Sequence, residues 1–143
     1  MLKNEGFTLV ESLVVIILVS LLAFLGIHYG RRNVKMAAIN EGKSLISSIV
    51  VQEKKYFAEN YTFLTTSGKQ TKIEGLIDIN TVGDFFNKFE ISQQSMTSGG
   101  YTDYILEITM YPNTDKHPDF NGVYVKGKYS TYTNEIKYEE NYD

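Results

Sequence analysis

Glu11 is a carboxylate set near the start of an apolar run. Leu9 and Val10 precede it, and no charge follows between Ser12 and Ile27. An unpaired carboxylate in hydrocarbon costs about 3 kcal/mol near a bilayer centre. Something must therefore compensate Glu11, and the best candidate is a cationic amine brought to it. At a helix start a carboxylate gains less than about 1 kcal/mol from the helix dipole, too little on its own to account for an acid at this position.

The other residues capable of chemistry are sparse. Cysteine is absent, which excludes disulfides, thiolate metal sites and a cysteine nucleophile. The two histidines, His28 and His117, are far apart in sequence and share no metal-ligand spacing. Asp115, Asp119 and Asn121 crowd before Gly122, but their spacing is not that of an EF-hand, and a solvated turn accounts for them. No Ser/His/Asp constellation and no phosphate-cradling glycine loop is present, so catalysis is not expected. Lys126, Lys128, Tyr129, Tyr132, Lys137 and Tyr138 interleave base and aromatic, a pattern suited to stacking on single strands. Glu135, Glu139, Glu140 and Asp143 dilute it, and the net charge of −3 gives no global attraction for nucleic acid.

The elements that must position Glu11 follow from hydropathy. Residues 7–27 would form a helix of about 31 Å at about 1.5 Å per residue, which matches a bilayer core. Three readings fit such a segment. One is a plain membrane anchor. Another is a secretory signal peptide, against which stand the length of the run and the lack of a small-x-small cleavage site after it. Arg31, Arg32 and Lys35 flank the far side, and the positive-inside rule alone would keep the body of the protein in the cytoplasm.

The third reading rests on a resemblance. Gly6-Phe7-Thr8-Leu9-Val10-Glu11, after a short polar leader, resembles the class III signal of type IV pilins and type II secretion pseudopilins. The resemblance implies that a prepilin peptidase cuts after Gly6 and methylates the new N-terminal Phe7, and that Glu11 is the family's acid. It further implies that the Phe7 amine of one subunit pairs with Glu11 of a neighbour and sets the axial register of a filament. Breaking such a pair once buried strands a charge, at a cost of several kcal/mol. The implied partners are sister subunits and related minor pilins, the peptidase/methyltransferase, an assembly-platform membrane protein and an assembly ATPase. The body would lie outside a bacterial inner membrane, then in an extracellular or periplasmic filament. Major pseudopilins bind calcium in a C-terminal loop, which makes Asp115, Asp119 and Asn121 the calcium candidates; no other cofactor is implied.

Two positions depart from the family pattern. Ser20 and His28 stand where many relatives have glycine and proline, residues associated with helix melting on assembly. Gly26 and Gly30 flank His28 and weaken the same region, since an interior glycine costs about 1 kcal/mol relative to alanine.

Beyond the apolar run, Val34, Ala38, Leu45, Ile49 and Tyr56, with Ile39, Ile46, Val50 and Phe57 beside them, recur at helical spacing. The helix should therefore continue amphipathically over residues 28–58 and end at Asn60-Tyr61. The stretch Glu53–Tyr61 also resembles the helix-to-loop junction of pilin-like proteins. Residues 59–143 should form the globular head. In it, residues 65–72 read as a surface loop, 82–89 as a short helix around Phe85, Phe86 and Phe89, and 92–100 as a Ser/Gln/Gly loop. Three antiparallel strands should follow. Residues 104–111 turn Tyr104, Leu106, Ile108 and Met110 to one face. Residues 122–133 turn Val123 and Val125 inward, and residues 135–138 put Ile136 and Tyr138 together.

The expected architecture is α+β: a long N-terminal helix, half membrane-embedded and half amphipathic, packed on a small antiparallel sheet. The expected organisation is a leader at 1–6, a membrane or filament-core helix at 7–27, its amphipathic continuation at 28–58 and a head at 59–143. The expected role is a structural subunit of a type IV pilus-like filament. Two alternatives stand beside it, a type II secretion pseudopilin and a membrane-anchored adhesin or DNA-binding module.

Overall fold

The computed structural model describes residues 8–73, 77–78 and 83–141. The fold is α+β, as expected. One helix, α1 (Leu9–Asn60), precedes a four-stranded antiparallel sheet of β3 (Phe86–Ser98), β4 (Tyr101–Pro112), β5 (Tyr124–Ser130) and β6 (Ile136–Asn141), in the order β3-β4-β5-β6. A two-residue ladder, β1 (Lys72–Ile73) with β2 (Ile77–Asp78), precedes it. The chain divides into two units, one ending at Met36 and one beginning at Ala37.

In the first unit, the described residues from Leu9 to Ile27 are helical and apolar on all sides. The large apolar residues from Leu9 to Ile27 are all exposed, at 46–82%. A surface helix of a globular domain would show a one-sided stripe. This segment is long and apolar enough to cross a membrane, and none of its most apolar window is buried. Ser12 and Ser20 satisfy their hydroxyls on backbone carbonyls one turn back, at Thr8 (3.3 Å) and Ile16 (2.7 Å), so neither leaves an open polar group on the apolar surface.

In the second unit the helix does carry a stripe. Ala38, Ile39, Leu45, Ile46, Ile49 and Val50 are buried, and Phe57 packs against the same core. All of these but Ile39 cluster with Phe86, Phe89, Ile91, Leu106, Ile108, Met110, Val125 and Tyr129 of the sheet. Val34, read as part of the stripe, is exposed. β4 supplies the centre of the sheet, and its alternation is as expected, with Leu106, Ile108 and Met110 wholly buried and Tyr104 partly so. Helix and sheet meet closely at two glycines. A Cβ on Gly42 would lie 2.9 Å from Val125 Cγ2, and one on Gly127 would lie 2.5 Å from Ile46 Cγ2.

Two expectations are corrected. The Phe85–Phe89 stretch is not helical; Phe86 and Phe89 lie in β3, where a register shift between Phe86 and Lys88 lets both face the core. Residues 92–98 are not a loop but the distal half of the same strand, paired with β4 out to Ser98↔Tyr101. Gly99 and Gly100, both at positive φ, close that hairpin in the manner of a type I′ turn. The remaining boundaries moved little. α1 ends at Asn60, followed by Tyr61 at φ 56°, and the Asn121-Gly122 turn is present with Gly122 at φ 86°.

Candidate functional site

Glu11 lies in the first turn of α1. Thr8, just before the helix, donates its backbone N–H and its hydroxyl to Glu11 Oε2, each at 2.8 Å. The Glu11 N–H returns a bond to Thr8 Oγ1 at 3.3 Å. This is a capping box, a Thr-x-x-Glu start in which side chains satisfy the open backbone donors of the first turn. It fixes where the helix begins and holds the carboxylate in place. Among the described residues, no hydrogen bond reaches Glu11 Oε1 and no cation pairs with the carboxylate. Gly6 and Phe7 lie outside the described residues, as does the side chain of His28.

The other residues singled out by sequence are dispersed. Asp115 and Asp119 are exposed, in a turn and in the 3-10 segment Pro118–Phe120 respectively, and Asn121 follows in the next turn. Among the described residues, no group of three His, Cys, Asp or Glu side chains is placed to hold a metal. His117 stacks on Phe85, with ring centroids 4.5 Å apart, and its Nε2 lies 3.3 Å from Asp84.

The basic and aromatic residues of β5 and β6 are separated by the sheet. Lys126 and Lys128 are on the outer face, both paired with Glu107, at 3.1 and 3.3 Å. Burial pushes Glu107 upward, but the two lysines outweigh it and hold the carboxyl below the ordinary glutamate range. Tyr129 is buried in the core, and Tyr138 turns to the helix, where it bonds Ser47 Oγ at 2.7 Å under Lys43. Strand alternation thus puts bases and rings that interleave in sequence on opposite faces.

Two polar anchors of the head were not read from the sequence. Glu53 occupies a position of the stripe where an apolar residue would be expected, and it is fully buried. Its Oε2 accepts the Leu64 N–H at 2.9 Å, while Oε1 has no partner among the described residues. Burial pushes its carboxyl above the ordinary range, against the smaller opposing effect of the Leu64 bond. Glu41 Oε1 accepts the N–H groups of Phe85 (2.8 Å) and Phe86 (3.1 Å) and so fixes the entry to β3. A polar residue at a stripe position was the available signal for both.

Comparison of the chain with protein-family models, curated proteins and solved structures returned no match.

Proposed function

We propose that this protein is the precursor of a structural subunit of a type IV pilus-like filament. The observation that carries the reading is Glu11, a carboxylate in the first turn of a helix whose apolar segment from Leu9 to Ile27 is exposed on every side. Such a surface requires lipid or other helices around it. A filament supplies both in turn: the helix resides in the membrane, then packs against sister helices when subunits are drawn out. The Gly6–Glu11 resemblance gives the chemistry at the start. Cleavage after Gly6 exposes the Phe7 amine, which is methylated and remains cationic. That amine meets Glu11 of a neighbouring subunit.

The capping box makes this economical. Before assembly, Thr8 occupies Glu11 Oε2 and restrains the carboxylate. Oε1 is left to receive the incoming amine, so pairing does not require the cap to break. In this reading the head stands outside the membrane, and a platform protein and ATPase drive assembly. The sheet and the second half of α1 form the filament surface.

The test is Glu11→Ala, followed by subunit size and filament yield. The expected result is a processed subunit of mature size with filament yield reduced at least tenfold. Normal yield from this variant would refute the pairing role.

A further inference from the structure

The outer face of the sheet carries a cavity of about 280 Å³ at the junction of β4 and β5. Its walls come from four separate segments: Lys69 from the loop after α1, Lys88 from β3, Tyr111 from β4, and Thr114, Asn121 and Tyr124 from the connection and the start of β5. Lys88 pairs with Tyr111 across β3 and β4, and Tyr124 adjoins the Val125–Met110 pair, so the lysine and both rings form one cross-strand row. The Lys69 ammonium sits 4.0 Å above the Tyr111 ring. The rim is fastened by Asn141, which accepts the Tyr124 N–H at 2.6 Å and donates to the Gly122 carbonyl at 2.9 Å.

Several lysines elsewhere on the head are paired with carboxylates. Lys126 and Lys128 are paired with Glu107, Lys43 with Glu140, and Lys116 with Asp84. Lys69 and Lys88 have no carboxylate partner among the described residues, and no acid lines the cavity. Glu90, on the same face, accepts the Tyr111 hydroxyl at 2.9 Å and is not part of the wall. Two lysines with no carboxylate partner among the described residues thus line one cavity of a chain whose net charge is −3.

We infer that this cavity binds a single sugar-sized ring bearing one anionic group, a carboxylate or a phosphate. The two ammonium groups supply point charges for the anion. The tyrosine rings offer flat apolar surface to the body of the ring, with polar tips at the edge. Thr114 and Asn121 supply neutral hydrogen-bonding groups for hydroxyls. The volume lies just below the common range for small-molecule pockets, which begins at about 300 Å³, and suits one ring in place of a chain of them. The inference does not depend on the filament reading.

The test is a titration of the full-length protein in detergent micelles with glucuronate, glucose 6-phosphate and neutral glucose, followed by the amide NMR signals of Thr114 and Gly122. The expected result is saturable shifts with one or both anions at a dissociation constant near about 1 mM, weaker at high salt, and none with glucose. The anion that binds identifies the preferred head group. Lys69→Gln with Lys88→Gln should weaken binding at least tenfold, while Lys55→Gln on the helix leaves it unchanged. All these side chains are exposed, so an unchanged circular dichroism spectrum serves as the check on folding. Equal binding of glucose, no binding of either anion, or undiminished binding by the double lysine variant would overturn the inference.

Discussion

Gly127 of β5 lies directly against Ile46 of α1, so close that a Cβ at 127 would come within 2.5 Å of Ile46 Cγ2. The contact sets how near the helix sits to the sheet. It repeats one helical turn earlier, where Gly42 faces Val125. A methyl group at 127 must displace a side chain that is itself wholly buried. Gly127→Ala should therefore destabilise the head by about 2 kcal/mol, within the usual cost of overpacking. Ile46→Leu removes the branch methyl at nearly constant volume and should recover part of that loss. Thermal melts of the two single variants and the double variant measure the coupling; simple additivity would show that the two residues do not meet.

Glu53 predicts an unusual pH dependence. Burial raises its carboxyl above the ordinary range in the folded state. A group raised on folding contributes stability at pH below its unfolded value, and that contribution is lost as pH rises through the folded value. Glu53→Gln keeps an acceptor for the Leu64 N–H and cannot ionise. At neutral pH it should be at least as stable as the parent, and the difference should vanish below about pH 4. Melting temperatures measured across pH 4–8 test this, and a uniformly less stable variant would contradict it.

Asp103 predicts the opposite slope. Burial pushes it upward, but hydrogen bonds from Ser130 Oγ, the Tyr132 N–H and Thr131 Oγ1 outweigh burial and hold it below the ordinary aspartate range. Its contribution is present above the unfolded value and is lost as pH falls through the lowered folded value. Asp103→Asn should loosen the turn between β5 and β6 and lower the melting temperature by a few degrees at neutral pH. The gap should narrow in acid; a gap constant with pH would show that charge on Asp103 is irrelevant.

Capping and pairing at Glu11 can be separated. Glutamine satisfies a capping box as glutamate does, but carries no charge. Glu11→Gln should keep helix content and processing yet assemble as poorly as Glu11→Ala. Thr8→Ala removes the cap, at about 1 kcal/mol, and should retain most of its filament yield. Electron microscopy of sheared filaments from the three variants decides it. If Thr8→Ala fails and Glu11→Gln assembles, the acid acts through the helix start alone.

The sequence-based reading succeeded where side-chain periodicity and packing agree. The stripe from Ala38 to Phe57, the alternation through Leu106, Ile108 and Met110, and the turn at Gly122 were all legible for that reason. β3 was misread because the register shift between Phe86 and Lys88 breaks the two-residue period. It puts Phe86 and Phe89 on one face at a spacing that imitates a helix. Beyond Ile91 the same strand exposes most of its side chains, so Ser92–Ser98 had no apolar alternation to reveal it; the Gly99-Gly100 pair was the signal to follow. At the helix start, Glu11 stood out by its charge in an apolar run, but the Thr8-x-x-Glu11 box was not read, although its spacing was the available signal. The Lys69, Lys88, Tyr111 and Tyr124 cavity was not legible, because its residues come from segments that only sheet pairing brings together.

The central claim rests on the Phe7 amine, so the most direct measurement is the intact mass and N-terminal sequence of the native protein taken from its membrane. The account predicts a chain that begins at Phe7, has lost residues 1–6 and carries one additional methyl group on its terminal nitrogen. A chain that retains Met1, or one cut after Ile27, would contradict it, because Glu11 would then have no terminal amine to meet.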